Sequence, residues 1–437
     1  MCVLILRFFR RRSREPTLHQ ASYAGELAVV EKRLAEGVFA EERARQGATA
    51  LMLAAQEGHK AVVALLLDAD AQPNARNPLG VTPVGAAAFA GHTEVLELLL
   101  ARGGDINAKD RKANTPVMVA SQNGQVGAVR FLIESGADIT ARNDDGHSVL
   151  TLGMVEGHED VVSALLELGV GVDVRDTDGT TALMLAAESG NAELAQWYLD
   201  VGADVNAARE DGGTALMTAT AVGNRAMVEL LLNAGADALH KDVHGLSPFL
   251  RSAMYGHLHL AETMLERGQA IDEGDRLGRT ALILAATGGH VELTRALLSR
   301  GASVDSKADN GTTALIAAAH GGHEEIVELV LKSGASVDAT DEHGASALFK
   351  AAEEGRTRLV ERLADEGADV NVEDSKGRTP LSVAAEGAFS DLIESLLDRG
   401  AKLDEKESSR LMTYAERQGL TDVAELLRKA ASGQQRS

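Results

Sequence analysis

Apolar and polar positions along the chain predict pairs of short helices, and residues 278–305 show the pattern most clearly. The hydroxyl of Thr280 can cap a first helix over residues 281–287, which a Gly-Gly pair then ends. A second helix over about residues 290–299 places apolar side chains at helical spacing: Val291, Leu293, Leu297 and Leu298. One such pair cannot bury its own apolar faces, so it needs a copy of itself on each side.

The copies recur in strict register. The glycine of the loop before each first helix recurs at one fixed interval, as the step from residue 47 to residue 80 illustrates (80 − 47 = 33), and Ala113 fills the single gap. These loop glycines are Gly47, Gly80, Gly146, Gly179, Gly212, Gly245, Gly278, Gly311, Gly344 and Gly377. Such self-similarity predicts an all-α helical solenoid of about thirteen 33-residue units, in which each unit packs against its neighbours.

Three segments carry a resemblance to a known family. They read T-P-L-S-V-A-A over residues 379–385, G-H-E-E-I-V-E-L-V-L over residues 322–331 and G-A-D-V-N-A over residues 202–207. Over about residues 16–430, the chain resembles ankyrin-repeat proteins. The resemblance implies an elongated, curved array that acts as a protein-binding scaffold, holds its partner on the concave face and performs no catalysis.

We expect a single array with unusual ends. Residues 1–15 are first apolar and then arginine-rich, and we interpret them as a disordered leader; an interfacial membrane anchor, acylated at Cys2, or a transit peptide is the alternative. The expected divisions of the remainder are a divergent first unit over residues 16–42, eleven full units over 43–404, a capping unit over 405–430 and a disordered tail over 431–437.

The composition narrows the class of partner and the compartment. A formal net charge of −22 keeps a long array soluble and disfavours DNA or RNA as a partner. The single cysteine excludes an intrachain disulfide and fits a reducing compartment. We therefore expect a cytoplasmic monomer that binds another protein, with membrane contact only through residues 1–15. A membrane-tethered adaptor is the alternative function.

The sequence offers no site for catalysis, for a cofactor or for a metal. Histidines recur after the first helix, but stacked helices lie ~10 Å apart, whereas zinc needs nitrogens within ~2.1 Å of one ion. We interpret these recurring histidines as structural: His59, His92, His158, His257, His290 and His323. Aspartates three residues before the loop glycine, such as Asp275, are expected to accept hydrogen bonds from the turn backbone. An enzyme is disfavoured because every unit keeps the repeat pattern.

The resemblance implies that loop tips and the exposed ends of first helices contact the partner. Basic residues occupy the tip position four residues before the loop glycine in five consecutive units, and we call this set the basic column: Arg43, Arg76, Lys109, Arg142 and Arg175. Further basic residues lie beside it: Arg45, Arg111 and Lys112. The same mapping predicts that Leu79, Val81 and Phe89 are exposed. It also exposes a second set, which we call the apolar patch: Val243, Leu246, Met254 and Tyr255.

Our hypothesis is that an acidic segment of a partner protein docks along the basic column, with Phe89 as its apolar anchor. Two alternatives remain open. Basic residues are common at this position in the family pattern, so the column is equally well explained as solvated surface. The apolar patch is the competing location, and it would bind an apolar helix with little dependence on salt.

The unit around Gly146 departs most from the pattern. Gly153 and Met154 replace the Ala-Ala pair found at positions 285 and 286 of the clearest unit. Because glycine inside a helix costs ~0.5–1 kcal/mol relative to alanine, we expect this unit to divide the array into two folding blocks. We also expect Gly153→Ala to raise stability.

Overall fold

The computed structural model describes residues 16–44 and 46–434, so the expected leader, Arg45 and residues 435–437 lie outside the described residues. Within those ranges the chain forms twenty-six helices in thirteen consecutive pairs, with no β-strand beyond three isolated bridges. This confirms the predicted all-α solenoid of about thirteen units. The chain forms two compact units, Met1–Glu210 and Asp211–Ser437, called unit 1 and unit 2.

Unit 1 contains twelve of the described helices. In chain order they are α1 (Leu18–Ala24), α2 (Leu27–Ala35), α3 (Ala50–Gln56), α4 (Lys60–Asp68), α5 (Pro83–Ala90), α6 (Thr93–Ala101), α7 (Pro116–Gln122), α8 (Val126–Glu134), α9 (Val149–Val155), α10 (Glu159–Glu167), α11 (Ala182–Ser189) and α12 (Ala192–Asp200). Odd-numbered helices are the first helices of each pair, and even-numbered helices are the second.

Unit 2 contains the other fourteen. They are α13 (Ala215–Val222), α14 (Arg225–Asn233), α15 (Pro248–Tyr255), α16 (Leu258–Glu266), α17 (Ala281–Thr287), α18 (Val291–Ser299), α19 (Ala314–Gly321), α20 (Glu324–Lys332), α21 (Ala347–Glu353), α22 (Thr357–Asp365), α23 (Pro380–Glu386), α24 (Ser390–Asp398), α25 (Glu405–Gln418) and α26 (Thr421–Gln434). The last helix therefore continues past the end expected at residue 430.

Side-chain caps set the start of almost every first helix. The Thr280 hydroxyl accepts a hydrogen bond from the Ile283 N–H at 3.4 Å, which satisfies one of the orphan donors of α17. Among the twelve first helices before α25, only those that follow Thr115 and Thr181 lack such a side-chain bond. Alanines keep the interior of these helices thin, so that consecutive first helices within each compact unit pack closely.

The recurring histidines tie six of the repeats to the repeats before them. The Nε2 atom of His290 lies 3.0 Å from the carbonyl oxygen of Met254, near the end of the preceding first helix. A Cβ added to Gly256 would lie 2.4 Å from the His290 ring, so that glycine makes room for the histidine. All six histidines contact a carbonyl 36 residues earlier, at 3.0–3.2 Å: His59, His92, His158, His257, His290 and His323. Their role is structural.

The loops are held by aspartates and by backbone contacts between neighbouring tips. Asp275 accepts hydrogen bonds from the N–H groups of Leu277 and Arg279, both at 2.9 Å, as expected from its position. Its second carboxylate oxygen accepts from Arg279 Nε at 2.7 Å. The Arg276 N–H donates to the carbonyl of His244 in the preceding loop at 2.9 Å, and equivalent bonds recur in other repeats of both units.

The division of the array into two folding blocks at the repeat around Gly146 stays a prediction, whereas the surroundings of Gly153 differ from expectation. The division between compact units follows Glu210, farther along the chain than Gly146. A Cβ added to Gly153 would lie 2.8 Å from Ser121 Oγ and 3.2 Å from Val161 Cγ1. Since Ser121 is buried and donates to the Val149 carbonyl at 2.6 Å, its hydroxyl cannot move aside at no cost. The glycine fits this neighbour, and the expectation that Gly153→Ala stabilises the chain is reversed.

Candidate interaction surfaces

Three arginines of the basic column donate hydrogen bonds to backbone carbonyls of the next repeat. Nη1 of Arg43 donates to the carbonyl of Arg76 at 2.6 Å, and Nη1 of Arg76 donates to the carbonyl of Lys109 at 2.7 Å. Arg175 makes the same bond to Ala208, also at 2.7 Å. Each guanidinium therefore braces the tip of the next repeat, while its side chain remains exposed. This geometry explains basic residues at the position without any partner.

The charge of the column is not uniform. Arg142 is only half-exposed, and its Nη1 faces the Gly146 carbonyl at 3.4 Å. Exposed acidic residues lie on the tips from this repeat onwards: Asp144, Asp145, Asp178 and Glu210. By contrast, the two preceding loops, residues 76–81 and 109–114, carry no exposed acidic residue. The basic loop tips without an exposed acidic residue in the same loop are therefore those of the two repeats before Arg142. Nothing is described for Arg45.

Three basic residues form the most available part of this surface. Lys109, Arg111 and Lys112 are exposed, and within the described ranges their side chains make no hydrogen bond or ion pair. The backbone of Arg111 is fixed by its N–H, which donates to the Leu79 carbonyl at 2.9 Å. We call these three residues the basic cluster.

The apolar residues beside the basic column are less exposed than predicted. Leu79 is 50% exposed, but Val81 and Phe89 are half-buried. Phe89 lies near the end of α5, one residue before Ala90 and the Gly91 that ends the helix. Leu79 is therefore the more exposed apolar neighbour of the basic cluster.

The exposure predicted for the apolar patch holds at two positions, holds in part at Met254 and is wrong at Leu246. Tyr255 is 50% exposed and Val243 is 40% exposed, while Met254 is half-buried. Leu246 is only 8% exposed, which contradicts its prediction. Its N–H and carbonyl both bond to Asp242 in the turn, so the side chain faces inward. The position after the loop glycine is also buried at Ala48, Asn114, Thr180 and Ala345.

Two exposed residues of this surface were missed. Val222, at the end of α13, is 52% exposed, and Leu277, one residue before its loop glycine, is 57% exposed. Val222 occupies the position of Tyr255 in the preceding repeat, and Leu277 occupies that of Leu79. The repeat register could therefore have found both. We use the name unit 2 apolar surface for the exposed or half-exposed set Val222, Val243, Met254, Tyr255 and Leu277.

The remaining described residues offer neither a metal site nor a membrane-spanning helix. No group of three or more His, Cys, Asp or Glu side chains in residues 16–44 and 46–434 is arranged to hold a metal ion. No described helix is both long enough and apolar enough to cross a membrane. Burial raises the pKa of Asp176, and contact with Asp178 raises it further; this pair lies in a turn, where both carboxylates accept from the Thr180 N–H.

Comparison with known proteins agrees with the repeat geometry. A family model described as ankyrin repeats (3 copies) matches residues 9–77, 84–178, 150–242, 249–341, 292–374 and 348–436. No curated protein sequence matches the chain. The constant repeat register, the paired helices and a family match along almost the whole sequence lead to one conclusion: the chain belongs to the ankyrin-repeat family.

Proposed function

We propose that this chain is a non-catalytic scaffold that holds a partner protein on its loop tips and first-helix ends. Ankyrin repeats are generally protein–protein interaction modules, and the family is typically non-catalytic. One observation carries the proposal: among the ten large hydrophobic residues exposed in the described ranges, five lie between residues 222 and 277. Exposed apolar side chains gathered in one region are typical of a binding surface.

The unit 2 apolar surface is the first candidate location. Val222 and Tyr255 end consecutive first helices at the same repeat position, and the residues beside them at the helix ends are uncharged: Ala221, Met254, Thr287 and Gly288. Tyrosine is enriched among residues that dominate binding energy because it buries a large, rigid ring with a polar tip. The surface suits the apolar face of an amphipathic helix of the partner.

The test begins with a partner captured by affinity purification and identified by mass spectrometry. We expect Tyr255→Ala to weaken its binding by about tenfold or more, mainly through faster dissociation. Val201→Ala is the matched control, because Val201 is similarly exposed at 43% but follows a second helix. Equal losses in the two variants, or none in Tyr255→Ala, would exclude the unit 2 apolar surface.

The basic cluster is the second candidate, and it keeps the hypothesis of an acidic partner segment. Its three cations have no ion-pair partner within the described residues, and Leu79 lies beside them as an apolar contact. Exposed charge pairs contribute only ~0–1 kcal/mol each, so the cluster would govern association rate and choice of partner more than affinity. Phe89 remains part of this proposal as a half-buried anchor.

This candidate has a distinct kinetic signature. Arg111→Glu with Lys112→Glu should slow association and reduce its dependence on salt. Arg225→Glu with Arg358→Glu makes the same change in net charge on exposed second-helix positions and should have little effect. If both double variants slow association equally, the net charge of the chain is responsible and the basic cluster is not a site.

We further propose that the chain is a cytoplasmic monomer, with a membrane-tethered adaptor as the alternative. The net charge of −22 and the single cysteine support the first possibility. Cell fractionation of the chain with and without residues 1–15 separates the two. Recovery of only the longer form with membranes would favour the tethered adaptor.

A further inference from the structure

The C-terminal cap carries a groove along its first helix. Helix α25 has fourteen residues, whereas the other first helices have seven or eight. It begins at Glu405, so Lys406 stands one repeat length after the tip residue Glu373, and Arg410 stands one repeat length after the loop glycine Gly377. The first turns of this helix therefore occupy the register that a loop tip fills in the other repeats.

The C-terminal end of α25 resembles the ends of other first helices. Arg417 and Gln418 directly precede Gly419, which ends the helix in the left-handed conformation. Met254 and Tyr255 precede Gly256 in the same way. The first turns of α25 thus match loop-tip positions by register, while its last residues correspond to a first-helix end only by their place before the terminating glycine, because this repeat is two residues shorter (256 − 245 = 11, 419 − 410 = 9).

The groove has a volume of about 680 Å³, and three basic side chains are among the residues that line it. Its walls are Lys406, Ser409, Arg410, Thr413, Tyr414, Arg417 and Gln418. We call it the cap groove. The opposite face of α25 is buried through Ser408, Leu411 and Ala415, so the groove residues project away from the packed side.

The cations of the cap groove are available for a ligand. Lys406 and Arg417 are exposed and form no ion pair within residues 16–44 and 46–434. Arg410 has one long contact, at 3.8 Å to Glu386, and its side chain is 52% exposed. In a chain of net charge −22, these three cations form a basic strip along one face of α25.

The spacing of the cations selects the kind of ligand. With a rise of ~1.5 Å per residue, Lys406 and Arg410 are ~6 Å apart along the helix, and Arg410 and Arg417 are ~10 Å apart. A single phosphate cannot contact all three. Carboxylates at positions i, i+4 and i+11 of a second helix have the same spacing and would meet them one by one.

We propose that the cap groove binds an acidic α-helical segment of another protein, laid along α25. The Ser409 hydroxyl is placed to donate a further hydrogen bond, whereas the Thr413 hydroxyl already donates to the Ser409 carbonyl at 2.8 Å. The half-buried Tyr414 ring supplies apolar contact at the floor. Acidic residues at the end of α21, Glu353 and Glu354, would repel the segment from the preceding repeats and so favour the cap. This surface lies outside both candidates proposed above.

The probe is a fluorescein-labelled, alanine-based helical peptide whose three glutamates match the spacing of Lys406, Arg410 and Arg417. Its comparison peptide has the same composition, with the glutamates on different helix faces. Fluorescence anisotropy with the full chain should show tighter binding of the matched peptide and a steep decrease with added salt. Equal binding of the two peptides, or no binding, overturns the proposal.

Substitutions locate the site. Lys406→Gln with Arg410→Gln and Arg417→Gln keeps good helix formers and should weaken the matched peptide about tenfold. The control is Lys402→Gln with Arg428→Gln and Lys429→Gln, which removes the same charge from other parts of the C-terminal region and should change binding less than about twofold. Equal losses overturn the proposal, as does tighter binding of a peptide with one phosphoserine in place of the glutamates. Circular dichroism checks that each variant remains helical.

Discussion

Tyr198 places a hydroxyl at a repeat position that is apolar in the other full repeats. It is fully buried in α12, and its hydroxyl has no hydrogen-bond partner. Burial raises the pKa of this phenol, which therefore stays neutral. Trp197 packs edge-on against it, with ring centroids 5.2 Å apart. The equivalent positions in the other full repeats are apolar: Leu66, Leu99, Leu132, Leu165, Leu231, Met264, Leu297, Val330, Leu363 and Leu396.

We predict that Tyr198→Phe raises the free energy of unfolding by ~1–2 kcal/mol, because it removes a buried hydroxyl that no group satisfies. Urea unfolding followed by circular dichroism measures the change. Tyr414→Phe is the control, since the Tyr414 hydroxyl donates to the Glu386 carbonyl at 3.3 Å and its loss should not stabilise the chain. An unchanged or lowered stability for Tyr198→Phe would show that water reaches this hydroxyl.

Gly153 and Ser121 form a complementary pair across neighbouring repeats. We predict that Gly153→Ala lowers stability by ~1–3 kcal/mol, because its methyl group meets the Ser121 hydroxyl. Adding Ser121→Ala should recover most of the loss, since Ala253 and Ala285 occupy the same two positions elsewhere and are both fully buried. Thermal unfolding of the two single variants and the double variant measures the coupling. If the stability changes of the two single variants simply add in the double variant, the two side chains are not in contact.

At the scale of helices, the histidine bonds hold consecutive pairs together. We predict that His290→Ala lowers the free energy of unfolding by ~1–3 kcal/mol, because the Met254 carbonyl loses its partner and a gap opens beside Gly256. His320→Ala should change it by less than ~0.5 kcal/mol, since the His320 side chain is 58% exposed and faces only Glu354 at 3.8 Å. Denaturant unfolding compares the two, and similar losses would argue against the tie.

Helix α25 contains a carboxyl group whose ionisation makes the stability of the fold depend on pH. Burial raises the pKa of the Glu407 carboxyl above its ordinary value, partly opposed by the hydrogen bond from Thr379 and reinforced by Asp404. The folded chain therefore binds this proton more tightly than the unfolded chain does. Ionised Glu407 costs stability above the folded-state pKa, and the cost disappears as pH falls to the ordinary carboxyl range.

We accordingly expect Glu407→Gln to stabilise the chain at neutral pH, with a difference that vanishes in mild acid. Glu405→Gln is the control: its carboxylate is exposed in the first helical turn, where negative charge is favourable, so the neutral amide should stabilise at no pH. Unfolding midpoints across a pH series measure both variants. A Glu407→Gln effect that grows towards acid has the opposite sign and would refute this assignment.

Much of this element-scale structure could be predicted from the sequence. Thr280 and Gly288 mark the bounds of α17 within a residue, because caps and glycines act through the local backbone. The bracing role of Arg43 and Arg76 could not be predicted, since their acceptors are backbone carbonyls of the next repeat. The burial of Leu246 was missed for a similar reason: it depends on how the turn at Asp242 orients the side chain.

At the scale of the molecule, the last repeat of unit 1 contains several features that lower its stability. Thr181 does not cap α11 with its side chain, Tyr198 has an unsatisfied hydroxyl, and Asp176 and Asp178 bring two carboxylates together. In a repeat protein, stability is approximately a sum of unit and neighbour terms, so such a repeat opens more easily than others. The sequence pointed instead to the repeat around Gly146.

We predict that backbone amides of α11 exchange with solvent faster than those of α17, measured by hydrogen exchange with mass spectrometry. α17 is the internal reference because Thr280 caps it and its alanines are fully buried. Faster exchange in α9 than in α11 would return the weak point to the repeat around Gly146. Equal protection of all three helices would mean that neither repeat is a weak point.

The bonds between repeats also bear on how long such a chain can be. His323 reaches the Thr287 carbonyl as His290 reaches that of Met254, one repeat earlier. If residues 279–311 were excised, His323 would come into register with Met254, and Glu342 would meet the Leu277 carbonyl in place of that of Asn310. The surviving partners are those that the preceding repeat already uses. Duplication or loss of coding sequence in whole-repeat steps would thus alter the number of repeats without demanding any new side chain, whereas a one-residue insertion would misalign the inter-repeat bonds that span it.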